Sequence, residues 1–283
     1  MEIILCEQKA FIIPDQIAAQ AALLKAREKK ISAFDAMSKV GSFLTHPKDE
    51  DFELLYCEHR YEPFWHIKAR SNYTYDRDVS YLVKTTGPEV KSVSYFSKKY
   101  EPVKNNITLC VTEHCNQQEE LESFVDAVTG KTRAELKNYF IFTPKQVSGK
   151  IQKMVDKNSI LVPPQVRVSS IIRDMLSRMI KGIQADKILD EIIEVLNADL
   201  YLHPFYAYSF QWKSKNKEAI IEIDALTGAI KSGTRVFKEY LGKVFDQDFL
   251  FDLGADTAGL IFPGGSIVVK AAKKYMDIRK DNK

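Results

Sequence analysis

The feature that most constrains this chain is that it repeats itself. Ile13-Pro14-Asp15-Gln16-Ile17 is matched by Val162-Pro163-Pro164-Gln165-Val166, and Ile31-Ser32-Ala33 by Ile183-Gln184-Ala185. Tyr61-Glu62-Pro63-Phe64-Trp65 is matched by Tyr201-Leu202-His203-Pro204-Phe205-Tyr206. Asp126-Ala127-Val128-Thr129-Gly130 is matched by Asp224-Ala225-Leu226-Thr227-Gly228. Thr132-Arg133, followed by Lys137-Asn138-Tyr139, is matched by Thr234-Arg235, followed by Lys238-Glu239-Tyr240. Five landmarks in one order predict a unit built twice. The spacing is unequal: 63 residues separate Pro63 from Asp126, but only 20 separate Pro204 from Asp224, so the first unit carries an insertion of about 43 residues.

Composition narrows the class. The 283 residues are 45% hydrophobic and 28% charged, a globular profile with length for about two domains. Forty-one Lys and Arg against 38 Asp and Glu give +3, too little to imply a polyanionic partner, so no nucleic acid is expected. No apolar run reaches the roughly 18 residues of a membrane span, and the first residues lack a signal peptide's basic and apolar regions. Four irregularly spaced cysteines then point to reduced thiols and a cytoplasmic location.

Hydrophobic spacing supplies the elements. Ile172, Leu176, Met179, Ile180 and Ile183 lie on one helical face, with Ser169 or Ser170 as N-cap. Ile188, Ile192, Val195 and Leu196 continue the helical period, predicting a second helix. First-half counterparts are expected at 16–29 and 32–44. The period then becomes two: Tyr206, Tyr208, Phe210 and Trp212 alternate with smaller or polar residues, as in a strand. A polar turn at 213–217, with Asn216 tolerant of positive φ, leads to a return strand at 219–223 and a third from Ala229. The insertion predicts strands at 79–83, 90–96 and 107–111, with turns at 72–78 and 86–88. Pro263-Gly264-Gly265-Ser266 precedes an expected helix from Ile267 to Arg279; this tail, with Lys270, Lys273 and Lys274, carries a net +4.

Ile221-Glu222-Ile223-Asp224-Ala225-Leu226-Thr227-Gly228-Ala229-Ile230 resembles the hairpin that ends PepSY domains. The resemblance covers 169–232 and more loosely the first half. It implies a helix packed on an antiparallel sheet and a protein-interaction or regulatory role without an active site.

Chemistry-bearing residues are few. There is no G-x-S-x-G, H-E-x-x-H, P-loop or G-x-G-x-x-G. Cys57 and His59, with Cys110, His114 and Cys115, could give soft ligands to zinc, although no CxxC pair occurs. Histidines are expected to be unpaired at the surface or at edges, and Glu119, Glu120 and Glu122 to form a solvated helix face. Tyr61, Phe64, Trp65, Tyr201, Phe205 and Tyr206 either line a binding groove or form the core where strands enter, with proline fixing the entry. Lys270, Lys273 and Lys274 offer a basic partner-binding helix.

The resulting expectation is an α+β protein of two tandem related units, each of helices packed on an antiparallel sheet. The first spans 1–145 with a β-rich insertion at about 68–120, the second spans 159–250, and a basic C-terminal helix spans 263–283. The expected role is a non-catalytic intracellular interaction or regulatory module for a protein partner, with no cofactor. Whether the chain is an enzyme is left open, leaning against. The alternatives are a zinc-dependent enzyme or metal-binding protein at the Cys/His cluster, and a homo-oligomer paired through sheet edges.

Overall fold

Two long strands carry the molecule. The computed structural model describes residues 1–37, 48–148, 151, 154–233 and 268–271. In chain order the elements are β1 (Glu2–Leu5), β2 (Ala10–Ile12), α1 (Ala19–Met37), β3 (Phe52–Lys84), β4 (Val93–Tyr95), β5 (Lys98–Tyr100) and β6 (Asn106–Asp126). There follow β7 (Lys145–Gln146), β8 (Ile160–Leu161), α2 (Val168–Met179), β9 (Lys187–Trp212), β10 (Lys217–Asp224), β11 (Ile230–Gly233) and β12 (Val268–Ala271). A 3-10 helix, Ala134–Ile141, follows β6.

β3 and β9 pair antiparallel from Phe52 opposite Trp212 to Asp76 opposite Lys187. On the outer edge of β9 lie β10, then β2, then β1; on the outer edge of β3 lie β8, then β6. β11, β7 and β12 add one further layer of pairing, giving a mixed sheet of ten strands. The expected two tandem units, each with helices on its own antiparallel sheet, are therefore wrong: the described chain is mostly strand and its main sheet is shared from end to end.

Several local expectations fall with it. Residues 188–196 are strand, not helix. Ile193, Val195, Ala198, Leu200 and Leu202 are buried in one cluster, and pairing on both edges of β9 overrides the helical spacing. Residues 72–78 are mid-strand, not a turn. The described part of the second expected first-half helix, from Ser32, belongs to one continuous α1. Residues 268–271 form β12 parallel to β1, where the start of a C-terminal helix was expected; the rest of that tail lies outside the described residues. α2 begins at Val168, with Arg167 rather than a serine at its N-cap.

Pro63 and Pro204 sit inside β3 and β9 without breaking them, for a reason visible in the pairing. The outer neighbour of β3 changes from β8, ending at Tyr61, to β6, beginning at Phe64. The outer neighbour of β9 changes from β2, ending at Leu202, to β10, beginning at Phe205. Each proline occupies the gap, where no outward N–H is required. Its carbonyl still accepts, from Ala127 N at 3.0 Å for Pro63 and from Ala225 N at 3.1 Å for Pro204. The two landmarks also pair with each other, Tyr61 opposite Pro204 and Pro63 opposite Leu202.

The helices cross over between the halves. The segment before α1 docks on the second half: Gln16 N and Ile17 N donate to Ala225 O at 2.9 and 3.0 Å. The segment before α2 docks on the first half: Gln165 N and Val166 N donate to Ala127 O at 2.8 and 2.9 Å. Ala22, Ala26 and Phe34 of α1 pack with Tyr208, Phe210 and Trp212, the small alanines allowing close approach. Ile172, Leu176 and Met179 of α2 pack with Trp65, Ile67 and Ala69. Because Ala198, Leu200 and Leu202 share parity with Tyr206, Tyr208 and Phe210, both helices lie on one face of β9. Leu136 of the 3-10 helix covers Phe64 and Tyr201 on the opposite face.

Candidate functional site

The repeated Asp-x-x-Thr-Gly turns are structural. Asp126 Oδ1 accepts from the amides of Val128 and Thr129 at 3.0 and 2.8 Å; Asp224 Oδ1 accepts from Leu226 and Thr227 at 2.8 and 3.2 Å. Gly130 and Gly228 take the left-handed φ, 75° and 73°, that closes each turn. Asp224 is buried and also accepts from His203 Nε2 at 3.0 Å and from the Tyr139 hydroxyl at 2.6 Å. The cavity beside it, lined by Tyr139, His203 and Phe205, holds about 20 Å³, room for a water and no larger ligand. The last landmark of the second half, 234–240, lies outside the described residues.

The aromatic residues proposed to line a groove are all buried: Tyr61, Phe64, Trp65, Tyr201, Phe205 and Tyr206. Five of them divide among core clusters, with Tyr61 and Trp65 on the α2 side, Tyr206 on the α1 side, and Phe64 and Tyr201 under the 3-10 helix, while Phe205 packs against His203 with ring centroids 4.2 Å apart. Their packing role follows from both faces being covered at mid-sheet. Lys270 lies on β12; Lys273 and Lys274 lie outside the described residues.

The cysteine–histidine set is not brought together. Cys57 and Cys110 sit opposite Tyr208 and Ser80, so 23 residues of β3 separate their positions, roughly 75 Å at 3.3 Å per residue. No group of three or more possible metal ligands occurs among the described residues. The histidines with described side chains are paired, contrary to expectation. His66 meets Glu122 at 2.9 Å, His114 meets Asp76 at 2.7 Å, and His203 meets Asp224. Glu119, Glu120 and Glu122 lie on strand β6, not on a helix, and meet Lys181, Lys68 and Lys137 at 2.6 to 2.9 Å.

Two places remain that packing alone does not account for. The first is a recess of about 660 Å³ beside the start of α1, lined among others by Asp15, Cys57, His59, Asp156, Ser159 and Tyr206. His59 Nδ1 is 2.8 Å from Ser159 Oγ, and its Nε2 is 3.1 Å from Asp15 Oδ1. The Tyr206 hydroxyl donates to Asp15 Oδ2 at 3.1 Å. The imidazole is stacked on Tyr206, with centroids 4.8 Å apart, and meets the edge of Tyr61 at 5.0 Å. Burial, and then Asp15 beside them, push the phenols of Tyr61 and Tyr206 well above the usual tyrosine range, so both stay protonated.

The second is an arm. β3 and β6 continue past the end of β9 as a two-stranded ribbon, from Arg77 opposite Glu113 to Lys84 opposite Asn106, roughly 26 Å long. A bare ribbon is marginal in water, and side-chain pairs across it supply support. Arg77 bonds Glu113 at 2.6 Å, the Tyr81 hydroxyl donates to the same carboxylate, and Thr112 donates to Asp78 at 2.7 Å. At the far end the small β4–β5 hairpin turns through Phe96 and Ser97. Phe96 is 90% exposed and Leu82 76%, with Val103 and Tyr95 also exposed. The segment 84–104 that holds the hairpin carries Lys84, Lys91, Lys98, Lys99 and Lys104 against Glu89 and Glu101. Neither the arm's role nor the Asp15–His59–Ser159 contact was visible in sequence, since the latter joins residues 44 and 100 positions apart.

The chain matches no protein-family model, no curated protein and no solved structure. No helix among the described residues is long and apolar enough to cross a membrane.

Proposed function

We propose that this chain is an interaction or regulatory module that binds another protein through the tip of its arm. One observation carries the reading: Phe96 is 90% exposed and held at a φ of 48°. It stands first in a two-residue hairpin loop, at a position with positive φ that favours glycine. A left-handed backbone costs a residue with a side chain about 1–2 kcal/mol. An exposed phenyl ring kept at that cost has no folding role in the described contacts beyond Tyr95, whose ring lies 4.7 Å away. With Tyr95 it forms an anchor of the kind that fills a partner's apolar pocket. The five lysines of segment 84–104, against two glutamates, favour a partner with an acidic rim.

The PepSY-like reading of the 221–230 hairpin goes with this role, as does a cytoplasmic partner, for which the four free thiols speak.

A photo-crosslinking amino acid placed at Phe96 tests the proposal, with Leu24 of α1, 60% exposed, as the control position. A discrete protein adduct is expected from position 96 and not from 24, and it should vanish with Lys98→Glu and Lys99→Glu. Adducts from position 24 alone, or adducts from 96 indifferent to the charge reversal, would overturn it.

A further inference from the structure

We infer that the recess at Asp15, His59 and Ser159 is an acyl-transfer site, with Ser159 as nucleophile and His59 as its base, acting on small uncharged esters. The inference goes beyond the arm's binding role and does not depend on it. Two groups from distant parts of the chain converge on the His59 imidazole of β3: Asp15 before α1 and Ser159 just before β8. Asp15 in its ionised form only accepts hydrogen bonds, so the His59 nitrogen facing it, Nε2, carries the ring proton. The other nitrogen, Nδ1, is then a bare acceptor, and the Ser159 hydroxyl donates to it across 2.8 Å. A hydroxyl, a base within reach of its proton and a third group orienting that base are the elements of an activated nucleophile.

The surroundings hold that arrangement in place. Tyr206 donates to the second oxygen of Asp15 and stacks on the imidazole; Tyr61 meets its edge. Ser159 is half-buried and the His59 side chain 16% exposed, so the recess admits a ligand to the reacting atoms. Its volume is that of a small-molecule site. Its wall is net negative, with Asp15, Glu58 and Asp156 against Lys157, and so repels anionic substrates. An uncharged acyl ester avoids that repulsion. Lys157 and Asn158 line the same recess and are the residues available to donate to charge developing on the carbonyl oxygen.

In the first step Ser159 Oγ bonds to the ester carbonyl carbon and its proton passes to His59 Nδ1. The tetrahedral adduct then expels the alcohol, which takes that proton, and the acyl group remains on Ser159. Water adds to the acyl carbon while losing a proton to His59; the Ser159 ester bond breaks, Oγ takes the proton back, and a carboxylic acid leaves. Asp15 is a positioning residue throughout.

The full chain is treated with a fluorophosphonate probe and the adduct mapped by mass spectrometry, with p-nitrophenyl acetate turnover measured in parallel. The expected result is a label on Ser159, absent in Ser159→Ala and slowed about 100-fold or more in His59→Gln. Asp15→Asn should lower turnover, and Asp15→Glu should restore part of it, which a merely structural carboxylate would not do. Circular dichroism confirms folding; Ser159→Ala removes one hydroxyl from a loop and keeps the control available. An unlabelled Ser159 in folded protein, a label on Cys57 instead, or equal turnover by wild type and Ser159→Ala would each overturn the inference.

Discussion

Asp224 and Asp126 hold the same turn in two settings, and replacing each by alanine separates the turn from its setting. Asp224→Ala removes the acceptor for four donors: two backbone amides, His203 Nε2 and the Tyr139 hydroxyl. Asp224 and His203 are almost fully buried, and a buried donor left without a partner costs about 1–3 kcal/mol. One water in the adjoining cavity can satisfy some of them, so the expected loss is about 3–6 kcal/mol. Asp126→Ala removes an acceptor for two amides and a 3.6 Å contact with Arg133, but the carboxylate is 19% exposed and solvent replaces it. Its expected loss is about 0.5–2 kcal/mol. Asp224→Asn keeps the shape and should fall between the two. Urea denaturation followed by circular dichroism gives the ranking, and equal losses at the two turns would refute the reasoning.

The same carboxylate sets an acid limit. Burial opposes ionisation of Asp224, but hydrogen bonds from His203, Tyr139 and the Leu226 amide outweigh it and hold the carboxyl well below its usual range. With the folded value below the unfolded one of about 3.9, its stabilisation is present above about pH 4 and is lost as the pH falls toward the folded value. Wild type should therefore lose more stability on acidification than Asp224→Asn.

Arg60 is buried among Glu58, Glu62 and Glu222, at 2.6 to 2.8 Å from each. Arg60→Met leaves those carboxylates without their cation and should cost about 3–5 kcal/mol in urea denaturation. The Cys6 thiol is pushed up to about 12, chiefly by burial and then by Asp199, so at neutral pH iodoacetamide should modify exposed Cys57 and Cys110 well before it. Phe96→Gly relieves a left-handed backbone and should stabilise the chain, or leave it unchanged within about 1 kcal/mol, while abolishing partner capture.

Legibility in the sequence depended on how local the deciding contacts were. The alternation from Tyr206 to Trp212, the turn with Asn216 at a φ of 48° and the return strand all rest on neighbours in sequence, and all are found. α2 is found as well, because its apolar stripe meets the core. Residues 188–196 misled, since Ile188, Ile192 and Val195 fit a helix by spacing while β1 and β3, far away in sequence, decide the matter. The aromatic–proline landmarks suit either a groove or a strand entry by residue type; they lie mid-strand, where the outer neighbours change. Sequence proximity groups His59 with Cys57 as a soft ligand, whereas its contacts are Asp15 and Ser159. Nothing local in the sequence marks Phe96 as the arm's tip, since its left-handed φ of 48° is set by the hairpin.

The exchange of docking segments between halves has a consequence for how the chain acquires its shape. Ile13 N bonds to Leu202 O, and Gln16 N to Ala225 O, so the N-terminal segment has its partners some 190 to 209 residues away. The β3–β6 hairpin can zip locally as soon as its strands exist, but the inner edge of β3 stays open until β9 is synthesised. Such non-local closure is slow, and an open edge waiting for β9 accepts the β9 of another copy equally well. Refolding at high concentration should therefore yield intertwined dimers in which each chain lends its β9 to the other.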